Sequence, residues 1–279
     1  SGTPPSDPQE GIYVVLTNGN YAERLNVSRY LSSWFGEDLD AMFAFDPRKV
    51  RLSAQTYSRS STLTIDFPCD IDLNRGTLSV STNGVYPTGF QISSDNVSIY
   101  NGAIDVEEVQ SGYTGQSTNL GACINVGLKG TTLNAYSNFN LHDLTLSANR
   151  ENGGGHITIW GGANNGKIDR IYFSGNTNPV GALINIEWSG NGVDTTYHPN
   201  NIEISNLTAS GYPNMASYAA VVRVSGGYNI TVDGVSANEV AGLFAVAAGD
   251  YANTRATTEE SAKVLTGLSA KNLTGTEVH

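Results

Sequence analysis

Glu187 and Asp194 stand seven residues apart, with Trp188 between them and Tyr197 just beyond. Two carboxylates held on one face can divide the cleavage of a glycosidic bond, one as general acid and the other as base or nucleophile. The residues that would hold a sugar lie on neighbouring stretches. Trp160, Trp188 and Tyr197 offer ring faces for stacking, while His156, Asn185 and Arg223 offer polar groups to hydroxyls. Glu187 is the best candidate acid or base, and Asp194 is the most plausible second carboxylate. A blander reading stays open, in which Glu187 and Arg223 form a solvent-exposed ion pair worth little.

Short strands must position these groups. Ala122-Cys123-Ile124-Asn125-Val126, His156-Ile157-Thr158-Ile159, Leu183-Ile184-Asn185-Ile186, Val221-Val222-Arg223-Val224 and Leu243-Phe244-Ala245-Val246 each alternate with period two. Ile124, Ile157, Ile184 and Val222 are expected to point inward, and Asn125, Thr158, Asn185 and Arg223 toward solvent. A neighbouring outward row is Gly127, Trp160, Glu187 and Ser225. Stacked parallel strands place such residues about 4.8 Å apart. Carboxylates one rung apart then approach the spacing of a retaining glycosidase, and two rungs apart that of an inverting one.

A second phrase separates these strands. Asn96-Val97-Ser98-Ile99-Tyr100-Asn101 recurs as Asn138 to Leu144, Asn165 to Ile171, Asn201 to Leu207 and Asn229 to Val235. The starts are 42, 27, 36 and 28 residues apart, as expected of one rung with loops of varying length. Asparagine and aspartate suit the bends because they tolerate left-handed backbone. One rung cannot bury its apolar side alone, whereas stacked rungs bury a continuous column. The expected fold is all-β, a right-handed parallel β-helix or solenoid with a short N-terminal capping helix. A β-sandwich or propeller also gives short strands and turns, but the recurring corner asparagine favours the solenoid. The aligned rows also set Lys167 beside Glu203, expected as a surface salt bridge, and His142 beside Asp169, a possible acid–base pair.

The net charge of −11 argues against nucleic acid and anionic membrane surfaces as partners. No apolar run is long enough for a transmembrane helix, so membrane insertion is not expected. Residues 1–10 read as a linker or appended extension and not as a signal peptide. Residues 11–49 read as an N-terminal cap, with a helix over 37–45 whose apolar positions plug the end of the solenoid. Residues 50–279 read as the β-helix. No closing motif stands at its C-terminus, so a fragment of a longer protein and an end covered by a partner are both open. The two cysteines, Cys69 and Cys123, are expected to be buried thiols.

From about residue 34 the chain resembles the pectate-lyase-like β-helix superfamily, and within it bacteriophage tailspikes. The resemblance is carried by Phe35-Gly36-Glu37-Asp38-Leu39-Asp40-Ala41, by Val50-Arg51-Leu52-Ser53-Ala54-Gln55-Thr56-Tyr57, and by Ser60-Ser61-Thr62-Leu63-Thr64-Ile65. It implies an extended carbohydrate-binding surface, a bacterial surface polysaccharide (capsule or O-antigen) as partner, a homotrimer, and an extracellular location on the virion tail. Gly155-His156-Ile157-Thr158-Ile159 resembles the glycine–histidine–glycine rung of polygalacturonase-type hydrolases. The aspartate pair of that family is replaced by Gly121-Ala122, so its mechanism is not carried over. No calcium-ligand cluster of the pectate lyase kind can be placed, and no cofactor or metal is expected.

The sequence therefore points to a polysaccharide depolymerase, with hydrolysis by paired carboxylates favoured over lyase chemistry. The alternatives are a polysaccharide lyase and a non-catalytic β-helix, the latter a receptor-binding or structural segment of a tail fibre or adhesin.

Overall fold

The computed structural model describes residues 13–15, 21–23, 28–82, 88–108, 122–127, 136–149, 156–174, 182–190, 196–212, 220–246 and 265–278. These form an almost all-β fold with two large parallel sheets and a short helix.

A seven-stranded sheet takes the short alternating strands in sequence order. They are Leu63–Ile65, Phe90–Ile92, Ile124–Val126, Ile157–Trp160, Ile184–Glu187, Val222–Val224 and Phe244–Val246. A twelve-stranded sheet takes the longer ones, including Ser98–Glu108, Asn140–Asn149, Asn164–Ser174, Asn200–Ser210, Gly227–Val240 and Ser269–Val278. The chain passes back and forth between the two sheets. From Ser98 to Val246 each strand of the two large sheets pairs in parallel with its predecessor in the same sheet, and Leu265–Thr266 and Ser269–Val278 both pair in parallel with Gly227–Val240.

The alternation explains the core between the sheets. Ile124, Ile157, Ile184 and Val222 are fully buried from one side, as the pattern predicts. Ile99, Leu141, Ile168, Ile204 and Val232 stand in one register column of the other sheet and meet them there.

The long strands bend because left-handed residues interrupt them five positions apart. The pairs are Asn96 and Asn101, Asn138 and Asp143, Asn165 and Arg170, Asn201 and Asn206, Asn229 and Gly234, and Gly267 and Asn272, all with φ between 51° and 81°. The last pair is a further copy in which glycine replaces the leading asparagine. There a Cβ would lie 2.5 Å from Asn229 Oδ1. The leading asparagines also bond across strands: Asn138 to Asn96, Asn201 to Asn165 and Asn229 to Asn201, at 3.1–3.2 Å.

The helix Leu39–Phe43 lies within the expected span and is N-capped by Asp38, whose carboxylate accepts from Ala41 N at 3.0 Å. Leu39, Met42 and Phe43 join the core with Phe35. Glu37 precedes the helix at φ 66° and accepts hydrogen bonds from Ser53 Oγ and Tyr57 Oη, each at 2.6 Å. Burial pushes the Glu37 pKa up, but its bonds from Ser32, Ser53 and Tyr57 outweigh this and leave it lowered. At the far end of the sheets, Phe244–Val246 and Ser269–Val278 are edge strands, and Val246 and Val278 are exposed.

Candidate functional site

The register of the seven-stranded sheet assembles the polar rows. Asn125 pairs with Thr158, Thr158 with Asn185, and Asn185 with Arg223. One row over, Trp160 pairs with Glu187, and Ser225 N donates to Ile186 O beside it. The structure thus brings Trp160, Asn185, Glu187 and Arg223 onto one face.

That face is not open to solvent, contrary to the alternation rule. Asn125, Thr158, Asn185, Arg223, Trp160, Glu187 and Ser225 are all at most 7% exposed. Period two assigns the second set to the outside of the sheet but does not reveal whether anything lies over it. Segments outside the described residues directly precede Ala122, His156, Ala182 and Ala220 in the chain, at the start of each of these strands.

The row holds unfilled hydrogen-bonding capacity. Asn125 Oδ1, Thr158 Oγ1, Asn185 Oδ1 and Ser225 Oγ are shut from solvent and have no partner among the described residues. Native interiors seldom leave such atoms unpaired, and each costs about 1–3 kcal/mol. The amide nitrogens are used internally, with Asn125 Nδ2 donating to Thr88 Oγ1 at 3.3 Å and Asn185 Nδ2 to Ala182 O at 3.2 Å. Asn140 Oδ1, on the other sheet, is a separate unpaired atom.

Beyond Glu187 the chain makes an antiparallel pair, Ser189–Gly190 with Thr196–Tyr197. This pair places Tyr197, which is half-buried, and Trp188 at the border of the row. Asp194 lies outside the described residues. His198 joins the border. Its ring meets Tyr228 edge-on at 5.3 Å. A Cβ on Gly226 would lie 3.0 Å from Trp188 Cβ and 3.1 Å from His198 Nδ1, so glycine is what lets these two rings close over the strand end.

His156 is a correction. It does not share the face with Trp160 and Glu187 but lies inside the core. Its ring stacks on Phe173 at 5.5 Å, and its Nε2 is 2.6 Å from Tyr212 Oη. Its Nδ1 is 3.6 Å from Cys123 Sγ, which in turn faces Ser147 O at 3.2 Å. A phenol donating to Nε2 puts the ring proton on Nδ1 toward sulfur and leaves the thiol proton for the carbonyl. Burial raises the Tyr212 pKa, consistent with a protonated donor. A signal was present in the sequence: His156 aligns with Cys123, Leu183 and Val221, all fully buried. Cys69 is likewise buried, and burial pushes its thiol up to about 12.

The twelve-stranded sheet corrects two further expectations. Lys167 and Glu203 are register partners but form no ion pair among the described residues. His142 stands beside Asp169 in register, yet it bonds Asp143 Oδ2 at 2.6 Å and stacks on Tyr100 at 4.8 Å. Asp169 accepts instead from Ser205 Oγ, Asn206 Nδ2 and Arg170. These groups stabilise bends and leave no free acid–base pair there.

No group of three or more metal-ligating side chains occurs among the described residues. No described helix is long and apolar enough to cross a membrane. Compared with family models, with curated proteins and with solved structures, the chain matches none.

Proposed function

We propose that this chain is a right-handed parallel β-helix of the tailspike kind, which binds a bacterial surface polysaccharide along the outer face of its seven-stranded sheet. The observation that carries the reading is the row of buried, unpartnered oxygens at Asn125, Thr158, Asn185 and Ser225. Such oxygens suit a ligand rich in hydroxyl groups, and the half-buried Trp188 and Tyr197 border them with aromatic surface. The strict return of the chain between two parallel sheets supports the solenoid, and the strong preference for right-handed crossovers supports its hand.

Glycoside hydrolysis is the proposed activity. Glu187 is the proton-transfer group next to the row, and Asp194 is the partner carboxylate. In this reading the sugar ring stacks on the half-buried Trp188 while Asn185 and Arg223 fix its hydroxyls. Glu187 then protonates the leaving oxygen or activates water, according to the spacing of the two carboxylates. The binding-only reading has one observation in its favour, since no second carboxylate stands in the rows with Glu187 among the described residues. The tailspike resemblance also suggests a homotrimer on the virion tail.

Incubation with purified capsular and O-antigen polysaccharides tests the activity. New reducing ends that disappear in Glu187→Gln and in Asp194→Asn support hydrolysis. Unsaturated sugar products would mean elimination instead. Binding without any cleavage would assign the non-catalytic reading.

A further inference from the structure

Tyr172 is 42% exposed. The other large apolar side chains that stand out among the described residues, Val246 and Val278, lie on edge strands, whereas Tyr172 sits in the interior of the twelve-stranded sheet. It points outward because its neighbours Ile171 and Phe173 take the buried side of the alternation. Thr145 and Thr208 are its register partners on the flanking strands, and Ser236 extends the row; all four are exposed. Ser174 and Ser210 stand in the outward row beside it. Tyr172 Oη lies 3.3 Å from Ser210 Oγ, one strand across and two residues along. Reaching that diagonal neighbour lays the phenol along the sheet, with one ring face toward solvent.

These two rows differ in charge from the rows across the bend. Asp105 is the one charged residue in them, and it accepts from Ser147 Oγ at 2.5 Å. Across the bend, the outward rows of the same strands carry Lys167, Asp169, Glu203, Asp233 and Lys271. On a chain with a net charge of −11, a neutral stretch spanning several strands gives an ionic partner nothing to pair with. One ring among hydroxyls also supplies too little apolar surface for the core of a stable protein interface. The arrangement suits a sugar, whose apolar face stacks on a flat aromatic ring while hydroxyls around that ring both donate and accept. Strands repeating at about 4.8 Å present such hydroxyls in ranks along the sheet.

We infer that the face centred on Tyr172 is a second glycan subsite, on the other sheet from Glu187, which takes a sugar ring of the same polysaccharide by stacking. It rests on the polysaccharide reading and adds a contact that is open to solvent, where the row at Asn125, Thr158 and Asn185 is buried. The test is titration of capsular and O-antigen polysaccharides into the full chain, its Tyr172→Ala variant and its Tyr172→Phe variant. Tyr172→Ala is expected to weaken binding at least about tenfold, and Tyr172→Phe, which keeps the ring, to stay within about threefold of the parent. Both should melt with the parent, since the side chain is exposed. Binding by Tyr172→Ala equal to that of the parent would overturn the inference while leaving the polysaccharide reading standing. So would a loss in Tyr172→Phe as large as in Tyr172→Ala, which would assign the contact to the hydroxyl. A fall in the sedimentation coefficient of Tyr172→Ala without ligand would overturn it too, by making the face an interface between copies. A parent chain that binds no polymer would overturn the polysaccharide reading itself, and with it the inference.

Discussion

Arg170 holds Asp143 of the adjacent strand through two bonds, Nε to Oδ1 at 2.6 Å and Nη2 to Oδ2 at 2.8 Å, from a left-handed backbone with φ 53°. An arginine is unusual at such a bend. A left-handed non-glycine residue costs about 1–2 kcal/mol, and the pair of carboxylates Asp143 and Asp169 offsets part of it. Because Arg170 and Asp143 are both largely exposed, that bridge contributes little. Arg170→Gly should thus leave the urea midpoint close to that of the parent chain, relief of strain balancing the lost pair.

Asn206 is different, because its Nδ2 donates to a carboxylate of Asp169 that is 6% exposed. Losing a hydrogen bond to a charged group costs about 1.5–3 kcal/mol. Asn206→Ala should lose about that amount and also the local tolerance of left-handed backbone that asparagine has over alanine. Asn206→Gly should lose about 1 kcal/mol less than the alanine variant. Equal losses in the two variants would contradict a backbone contribution.

Acid should destabilise the bends in a defined direction. Burial raises the Asp169 pKa, but the bonds from Ser205 and Asn206 and the charge of Arg170 outweigh it, so the folded value lies below 3.8. Arg170 first, then His142, hold Asp143 well below the usual carboxylate range. A depressed folded pKa contributes stability that is complete above the unfolded value and is lost as pH falls through the folded one. Melting temperature is expected to be flat down to about pH 4.5, then to fall below 3.8. Asn206→Ala should blunt that fall.

The core relay makes a separate prediction. Tyr212→Phe removes the donor to His156 Nε2 and leaves a buried ring nitrogen unpaired. A loss of about 1–3 kcal/mol is expected, with no change in polysaccharide binding, since His156 lies inside the core. A selective loss of binding would show that His156 serves the ligand after all.

Gly226→Ala tests the closure of Trp188 and His198. The added methyl would meet both side chains at 3.0–3.1 Å and must displace one. A shift in tryptophan emission is expected, together with at least about a tenfold loss of polysaccharide affinity. Unchanged binding would place the ligand away from this border.

Much of the architecture was legible because ladder register is a counting problem. The rows Asn125–Thr158–Asn185–Arg223 and Tyr100–His142–Asp169–Ser205–Asp233 follow from aligning the repeat, and the strand pairing reproduces them. The left-handed corners were legible at Asn101, Asp143 and Asn206 but not at Arg170, whose place depends on partners from two strands. The Gly267 copy was missed because glycine meets the same backbone demand without the asparagine signature. Burial of the outer row was illegible, since alternation assigns a side and not an exposure. His156 was misplaced because it precedes the alternating residues, where its column partners Cys123 and Leu183 carry the information instead.

The most direct test of the binding face is a calorimetric titration of capsular and O-antigen polysaccharides into the chain, the Thr158→Val variant and the Asn185→Ala variant. Saturable binding to the parent chain, weakened at least about tenfold in both variants while Thr158→Val melts no lower than the parent, is the predicted result. Binding that both variants retain in full, or no binding to any polymer, would contradict it.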